Sequence, residues 1–219
     1  MHSEAIEDYL KTIYHLQQGN RQVSTNQLAD FLQIRQSSVT NMLKKLADSA
    51  LIEYEPYQGA TLTQQGQEIA LRTLRYHRLV EQFLFVKLGL PWEEIHAEAE
   101  KWEHVLSPSL ANRMDKVLNY PATNPHGAPI PSEDGNIQIP FYITLADIKP
   151  PQKIKVAQVH DRDSTLLQYC ASIGLMPGET VTLLSNSPYD DMYTIRVNEQ
   201  DINLGNEVVQ NVLFEAVDP

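Results

Sequence analysis

The stretch that decides the fold is STNQLADFLQIRQSSVTNMLKKL, residues 24–46. Ser24 or Thr25 can cap a short helix whose apolar residues are Leu28, Ala29 and Leu32. Gln33-Ile34-Arg35 makes a brief turn. Ser37-Ser38 then opens a second capped helix with apolar residues at 39, 42, 43 and 46. Two short helices joined by a tight turn form a helix-turn-helix. Just beyond, Leu51–Tyr54, the turn Tyr57-Gln58-Gly59 and Ala60–Thr63 predict a hairpin, which makes the unit a winged helix. Upstream, Ile6, Tyr9, Leu10, Ile13, Tyr14 and Leu16 follow helical spacing over 4–18, with Gly19-Asn20 as the stop.

Outward from that unit, residues 64–88 read as one long helix ended by Gly89-Leu90-Pro91. A helix over about 92–106 follows, then a short one opened by Ser107-Pro108 and running to about Leu118. Residues 121–151 hold seven of the chain's 13 prolines and little periodicity, so they predict an extended linker. From Lys153 onward come short strands at 154–159, 180–184, 193–197 and 212–214, with a short helix near 164–172. Those strands predict a small β-barrel. The expected architecture is mainly α with small β. A winged helix-turn-helix occupies 1–73, a helical metal-binding and dimerisation domain 74–140, and an SH3-like β-barrel 141–219.

Composition narrows the function. A net charge of −11 over 219 residues argues against nonspecific polyanion binding by the whole chain. The charge is uneven. Residues 1–75 hold 7 Lys/Arg against 8 Asp/Glu, whereas 151–219 hold 4 against 10. DNA binding therefore belongs at the front and cation binding behind it. The only cysteine, Cys170, excludes a disulfide framework and a cysteine-rich zinc ribbon. No apolar run is long enough to span a membrane and no leader pattern opens the chain, so the expected location is the cytoplasm.

The second helix of the pair offers Arg35, Gln36, Ser37, Ser38, Thr40, Asn41, Lys44 and Lys45 at its exposed positions. Short hydroxyl and amide side chains near its N-terminal end can reach base edges or phosphates in a major groove. Lys44 and Lys45 can neutralise phosphates. The competing reading is a winged helix used for protein contacts. Near-neutral local charge favours binding as a dimer or after loss of negative charge elsewhere.

Metal chemistry is suggested by a second pattern. On a continuous helix Glu100, Glu103 and His104 share one face, and His96 extends it one turn earlier. His77 and Glu81 share a face of the long helix. Asp8 lies in the first helix among the core residues Ile6, Tyr9 and Leu10. Crowded carboxylates repel, and a divalent cation reverses that sign. Taken alone, the triplet reads first as a solvated charged face, since an isolated Glu-x-x-Glu-His is common. An enzyme reading fails on motifs: the zincin His-Glu-x-x-His and its inverse are absent, since Glu100 stands where the inverse needs histidine. No nucleophile signature or glycine-rich phosphate loop appears. A metal-dependent hydrolase and a metal-buffering protein remain as readings from other classes. Phe83, Leu84, Val86, Leu88, Leu90 and Trp92 offer either a symmetric dimer surface or ordinary core.

Taken together, IEDYLKTIYHL (6–16), SSVTNMLKKLADSALIEYEPYQGATLTQQG (37–66), RYHRLVEQFL (75–84), EIHAEAEKWEHVLS (94–107), NPHGAPIP (124–131) and GLMPGE (174–179) resemble the diphtheria toxin repressor family of metal-dependent regulators, in its manganese-responsive branch with the SH3-like domain. The resemblance implies a DNA-controlling metal centre with ligands Asp8, Glu100, Glu103 and His104. Iron-responsive members carry Met and Cys at the positions of Asp8 and Glu100. Oxygen donors at both suit Mn²⁺, with Fe²⁺ the runner-up. Small manganese regulators carry Glu at the position of Lys11, which puts their paired-metal arrangement in doubt here. A second centre is implied from His77, Glu81, His96, His126 and Asp161, with Asp163 the alternative acid and Asn124 where longer manganese-type members place Cys. Each has a plainer role open to it: His77 between helices, His96 supporting a ligand, His126 in a loop, Asp161 in a turn. His15 and His160 read as structural. The implied protein is a homodimer that binds a palindromic operator when loaded with Mn²⁺ and represses uptake genes.

Overall fold

α1 (Glu4–Gln17) forms because its apolar residues recur at helical spacing, and Ile6, Tyr9, Leu10 and Ile13 are buried. The structure, a computed structural model, describes residues 3–17, 22–187 and 191–217. The predicted stop at Gly19-Asn20 lies outside the described residues. α2 (Thr25–Leu32) starts on a capping box in which the Ser24 hydroxyl accepts from the Gln27 amide and the Gln27 side chain accepts from the Ser24 amide. α3 (Gln36–Asp48) begins one residue earlier than expected. Its N-cap is Arg35, which makes no side-chain cap, so the serines at 37 and 38 are left to solvent. β1 (Ile52–Glu55) and β2 (Gly59–Leu62) pair antiparallel in the register Ile52↔Leu62 to Glu55↔Gly59. The helix-turn-helix and its wing close over one core: Leu10, Ile13, Leu28, Val39, Leu43 and Leu46 lie in the same buried cluster. α1 is therefore packed into the unit that carries α3.

α4 (Gln64–Phe83) continues into a π turn at Leu84–Leu88, and Gly89 ends it in the left-handed conformation, its N–H reaching the Leu84 and Phe85 carbonyls. α5 is shorter than the pattern predicts: Ile95–Trp102 rather than about 92–106. Pro91 opens a turn closed by the Glu94 amide on its carbonyl, which delays the start. At the other end the backbone leaves the helix at Trp102, so Glu103 and His104 lie in a turn rather than on the helix. α6 (Pro108–Val117) carries Ser107 as N-cap and Pro108 in its first turn.

The chain divides into two compact units: Met1–His77 with Glu103–Leu106 and Pro131–Asn136, and the remainder. In the second unit the sheet strands are β3 (Gln152–Val159), β4 (Thr180–Asn186), β5 (Tyr193–Val197), β6 (Gln200–Leu204) and β7 (Val212–Ala216). They are antiparallel in the order β6-β5-β4-β3-β7. No ladder joins β6 to β7 among the described residues, so the sheet is open where a closed barrel was expected. β6 was not foreseen. Its hairpin with β5 turns on Asn198 and Glu199, both at positive φ, without the glycine that marks such turns. α7 (Ser164–Ser172) and the short α8 (Asn206–Gln210) complete the unit. Leu84 and Trp92 are core residues of this unit, while Phe85, Val86 and Leu88 are exposed. No helix is long and apolar enough to cross a membrane among the described residues.

Candidate metal centres

The first cluster is built from α1, α4 and the turn after α5. α1 presents Glu7, Asp8 and Lys11, α4 presents His77, and the turn presents Glu103 and His104. His104 stands at the middle. Its Nδ1 lies 2.8 Å from Glu7 Oε2, and its Nε2 lies 2.9 Å from Asp8 Oδ1 and 3.3 Å from Glu103 Oε1. Donor atoms of Asp8, Glu103 and His104 all fall within 4.8 Å of one another. Glu103 is 1% exposed, with Lys11 Nζ 2.6 Å from Oε1 and His77 Nδ1 2.5 Å from Oε2.

Glu7 is a member that the sequence reading passed over. It is buried, and Arg72 reaches its other oxygen at 3.4 Å. A carboxylate can only accept, so His104 donates from Nδ1 to Glu7, and when the imidazole is neutral its Nε2 lone pair faces Asp8 and Glu103. That carboxylate–imidazole arrangement is how metal-ligating histidines are oriented. The available signal was spacing: Glu7 shares a helix face with the core residue Leu10 and with Tyr14, an unusual place for a charge.

Burial opposes charge on His104, but the hydrogen bond to Glu7 and the carboxylates of Glu103 and Asp8 outweigh it and raise the pKa above its ordinary 6.5. The metal-free fold thus holds this proton more tightly than the unfolded chain does. Stability from it is complete below about pH 6.5 and is lost as pH climbs through the raised folded value. An ion on Nε2 needs that proton gone. The increase in melting temperature produced by a divalent cation is therefore expected to be small near pH 6 and larger near pH 8. Equal increments at both would show that no imidazole proton is exchanged.

The second cluster lies in the second unit. Glu81 and His126 are 0% exposed. His126 Nε2 donates to the Trp92 carbonyl at 3.0 Å, which directs Nδ1 to Glu81 Oε1 at 3.5 Å and Asp161 Oδ2 at 3.8 Å. His96 Nδ1 faces the same two oxygens, at 3.4 and 3.8 Å, and its Nε2 lies 3.8 Å from Glu100. These separations are too long for good hydrogen bonds and leave two imidazoles and two carboxylates around a common point, the spacing an ion would fill. The His126 pKa is also raised: burial lowers it, and Glu81, Asp161 and the Trp92 carbonyl more than compensate.

Asn124 does different work from a ligand. Its Oδ1 accepts from the Ala128 amide at 2.7 Å and its Nδ2 donates to Glu81 Oε2 at 2.5 Å, so both ends are committed and it orients Glu81. Asp163 is likewise committed, capping α7 through the amides of Thr165 and Leu166. The loop holding Asn124 and His126 lies along β3, where the Val159 amide donates to the His126 carbonyl beside a bulge at Val156/Gln158. Gly127 permits that approach. Its φ is +86°, and a Cβ there would fall 1.9 Å from the Ala157 carbonyl oxygen.

Neither cluster contains sulfur. Cys170 is fully buried in α7, and burial pushes its thiol up to about 11. The donor sets of carboxylate and imidazole fit a hard or borderline divalent ion. On α3, Arg35, Gln36, Ser37, Ser38, Asn41, Lys44 and Lys45 are exposed, and Thr40 is half-buried with its hydroxyl on the Gln36 carbonyl. The His15 ring packs tilted against Phe31, with centroids 5.4 Å apart.

Residues 1–60 match the model for the iron-dependent repressor N-terminal DNA-binding domain. Residues 63–132 match the iron-dependent repressor metal-binding and dimerisation domain, and 143–216 the FeoA domain. The chain is 30% identical over 226 residues to the iron-dependent repressor IdeR of Mycobacterium leprae, covering 98% of each. Among solved structures, it superposes on a manganese-dependent transcriptional repressor in complex with manganese at TM-score 0.90 and 32% identity, over 97% of this chain and 100% of that one. The apo form of the manganese-activated repressor ScaR matches at TM-score 0.83 and 34% identity, over 96% and 100%.

Proposed function

The chain belongs to the diphtheria toxin repressor family of metal-dependent DNA-binding repressors, which are not enzymes, and on that premise we propose that Mn²⁺ is its corepressor and a palindromic operator of manganese uptake genes its target. The observation that carries this reading is the sulfur-free convergence of Asp8, Glu103 and His104 within 4.8 Å. Carboxylate and imidazole suit Mn²⁺, whereas thiolate or thioether would favour later metals. The likeness to two manganese repressors supports it. The second reading is Fe²⁺, favoured by the full-length match to an iron-dependent repressor. A bound divalent ion supplies the positive charge that lets the facing carboxylates share one centre.

The chain's own residues do the rest. Asp8 ties α1 to the turn carrying Glu103 and His104, and Glu7 keeps the imidazole turned toward them. α1 shares its core with α3, so securing α1 secures the helix that bears Arg35, Gln36, Ser37, Ser38, Thr40, Asn41, Lys44 and Lys45. In a cytoplasmic homodimer two such helices meet half-sites about 34 Å apart. Glu81, His96, His126 and Asp161 would hold a second ion, with Glu100 beside His96. The ligand residues of the first centre would couple metal binding to DNA binding by favouring the DNA-competent state over the other.

The test is anaerobic titration of binding to the chain's own upstream DNA with Mn²⁺, Fe²⁺, Co²⁺ and Zn²⁺, for the native protein and Asp8→Ala. Mn²⁺ is expected to give full retention, with the midpoint moved at least ~100-fold in Asp8→Ala. Full retention with Fe²⁺ and none with Mn²⁺ selects the iron reading. An unmoved midpoint in Asp8→Ala refutes the assignment of the first centre.

A further inference from the structure

We propose that Lys11 is an internal competitor for the metal at the first centre, so that its ammonium sets the concentration at which the centre fills. The inference rests on the metal-centre reading above and concerns a residue that is not itself a ligand. Glu103 is the most deeply buried carboxylate of the cluster, and a buried carboxylate is costly unless its charge is met. Lys11 meets it: Nζ sits 2.6 Å from Oε1, and the lysine side chain is only 15% exposed. Oε1 is also the oxygen that faces the centre, 3.3 Å from His104 Nε2. An arriving cation and the ammonium therefore seek the same oxygen.

Lys11 follows Asp8 by three residues on α1, so both project from adjacent turns of one helix face. The same helix thus delivers a ligand and a rival cation to one centre. One consequence follows from charge alone. Like charges a few ångströms apart weaken metal binding, so an ion would have to share Oε1 with the ammonium or displace it.

Mn²⁺ binding to the full-length protein, measured by calorimetry and by the electron paramagnetic resonance signal of the free ion, tests this without DNA. Lys11→Met and Lys11→Gln are expected to tighten the first centre about tenfold or more while leaving the number of ions unchanged. Lys11→Arg, which keeps the charge, should stay within about threefold of the native protein. Unchanged or weaker binding in both neutral variants overturns the proposal. Failure of both neutral variants to fold also overturns it, since Lys11 would then be a structural brace. Asp8→Ala in parallel separates the two levels. Native Mn²⁺ binding that ignores Asp8→Ala defeats the centre itself, whereas an ion lost in Asp8→Ala with no tightening in the neutral Lys11 variants defeats only the competitor.

Discussion

Replacing Glu103 with glutamine abolishes cation-dependent operator retention while leaving a folded protein. The substitution keeps shape and removes one negative charge. In the native chain that carboxylate is fully enclosed and contacts Lys11, His77 and His104 at once. As an amide it offers an ion one weak oxygen donor and presents hydrogen-bond donors to groups that also donate. Affinity at the first centre is expected to fall at least ~100-fold. The metal-free variant also leaves the Lys11 ammonium facing a neutral amide in place of its carboxylate, which costs about 1–3 kcal/mol and lowers the melting temperature by several degrees. Gel shifts with Mn²⁺ and thermal melts without it read the two effects separately. A native midpoint in the gel shift would show that Glu103 contributes only to packing.

Gly127→Ala is expected to remove the second centre. Backbone surrounds the site of the missing side chain: the Ala157 carbonyl oxygen at 1.9 Å, its carbon at 2.9 Å and Gln158 Cα at 2.9 Å. None is the movable end of a side chain, and the positive φ adds strain, so a cost of about 2–4 kcal/mol follows. The loop must lift from β3, breaking the hydrogen bond from the Val159 amide that anchors the His126 backbone and carrying Asn124 away from Glu81. Metal stoichiometry should drop by one ion per chain, accompanied by a lower melting temperature. The Asp8–Glu103–His104 centre is in the other compact unit and should load normally. Native stoichiometry and stability would mean that the loop has slack.

What could be read along the chain and what could not divides by distance. The helices of the winged unit were legible because periodicity, the Ser24 capping pair and the wing hairpin are local signals. The carboxylates and imidazoles that converge in the two clusters were legible as candidates because their side chains state their own chemistry. The exact end of α5 was not: local propensity continued the helix to about 106, while the structure places Glu103 in a turn beside a lysine 92 positions away. Glu7 and His104 stand 97 positions apart, and Asn124 and Glu81 43 apart, so no repeat or spacing announces either pair.

The chain's order of amino acids by itself determined the winged helix-turn-helix, the strand-rich C-terminal third and the preference for oxygen and nitrogen over sulfur as donors. Only the tertiary structure decided that Glu7 orients His104, that Asn124 orients Glu81, that the C-terminal sheet stays open, and that Lys11 already holds Glu103. The physical reason is that local hydrogen bonds and apolar periodicity select secondary structure within a few turns, whereas the state of a buried charge is set by whichever distant groups the fold brings within about 4 Å of it.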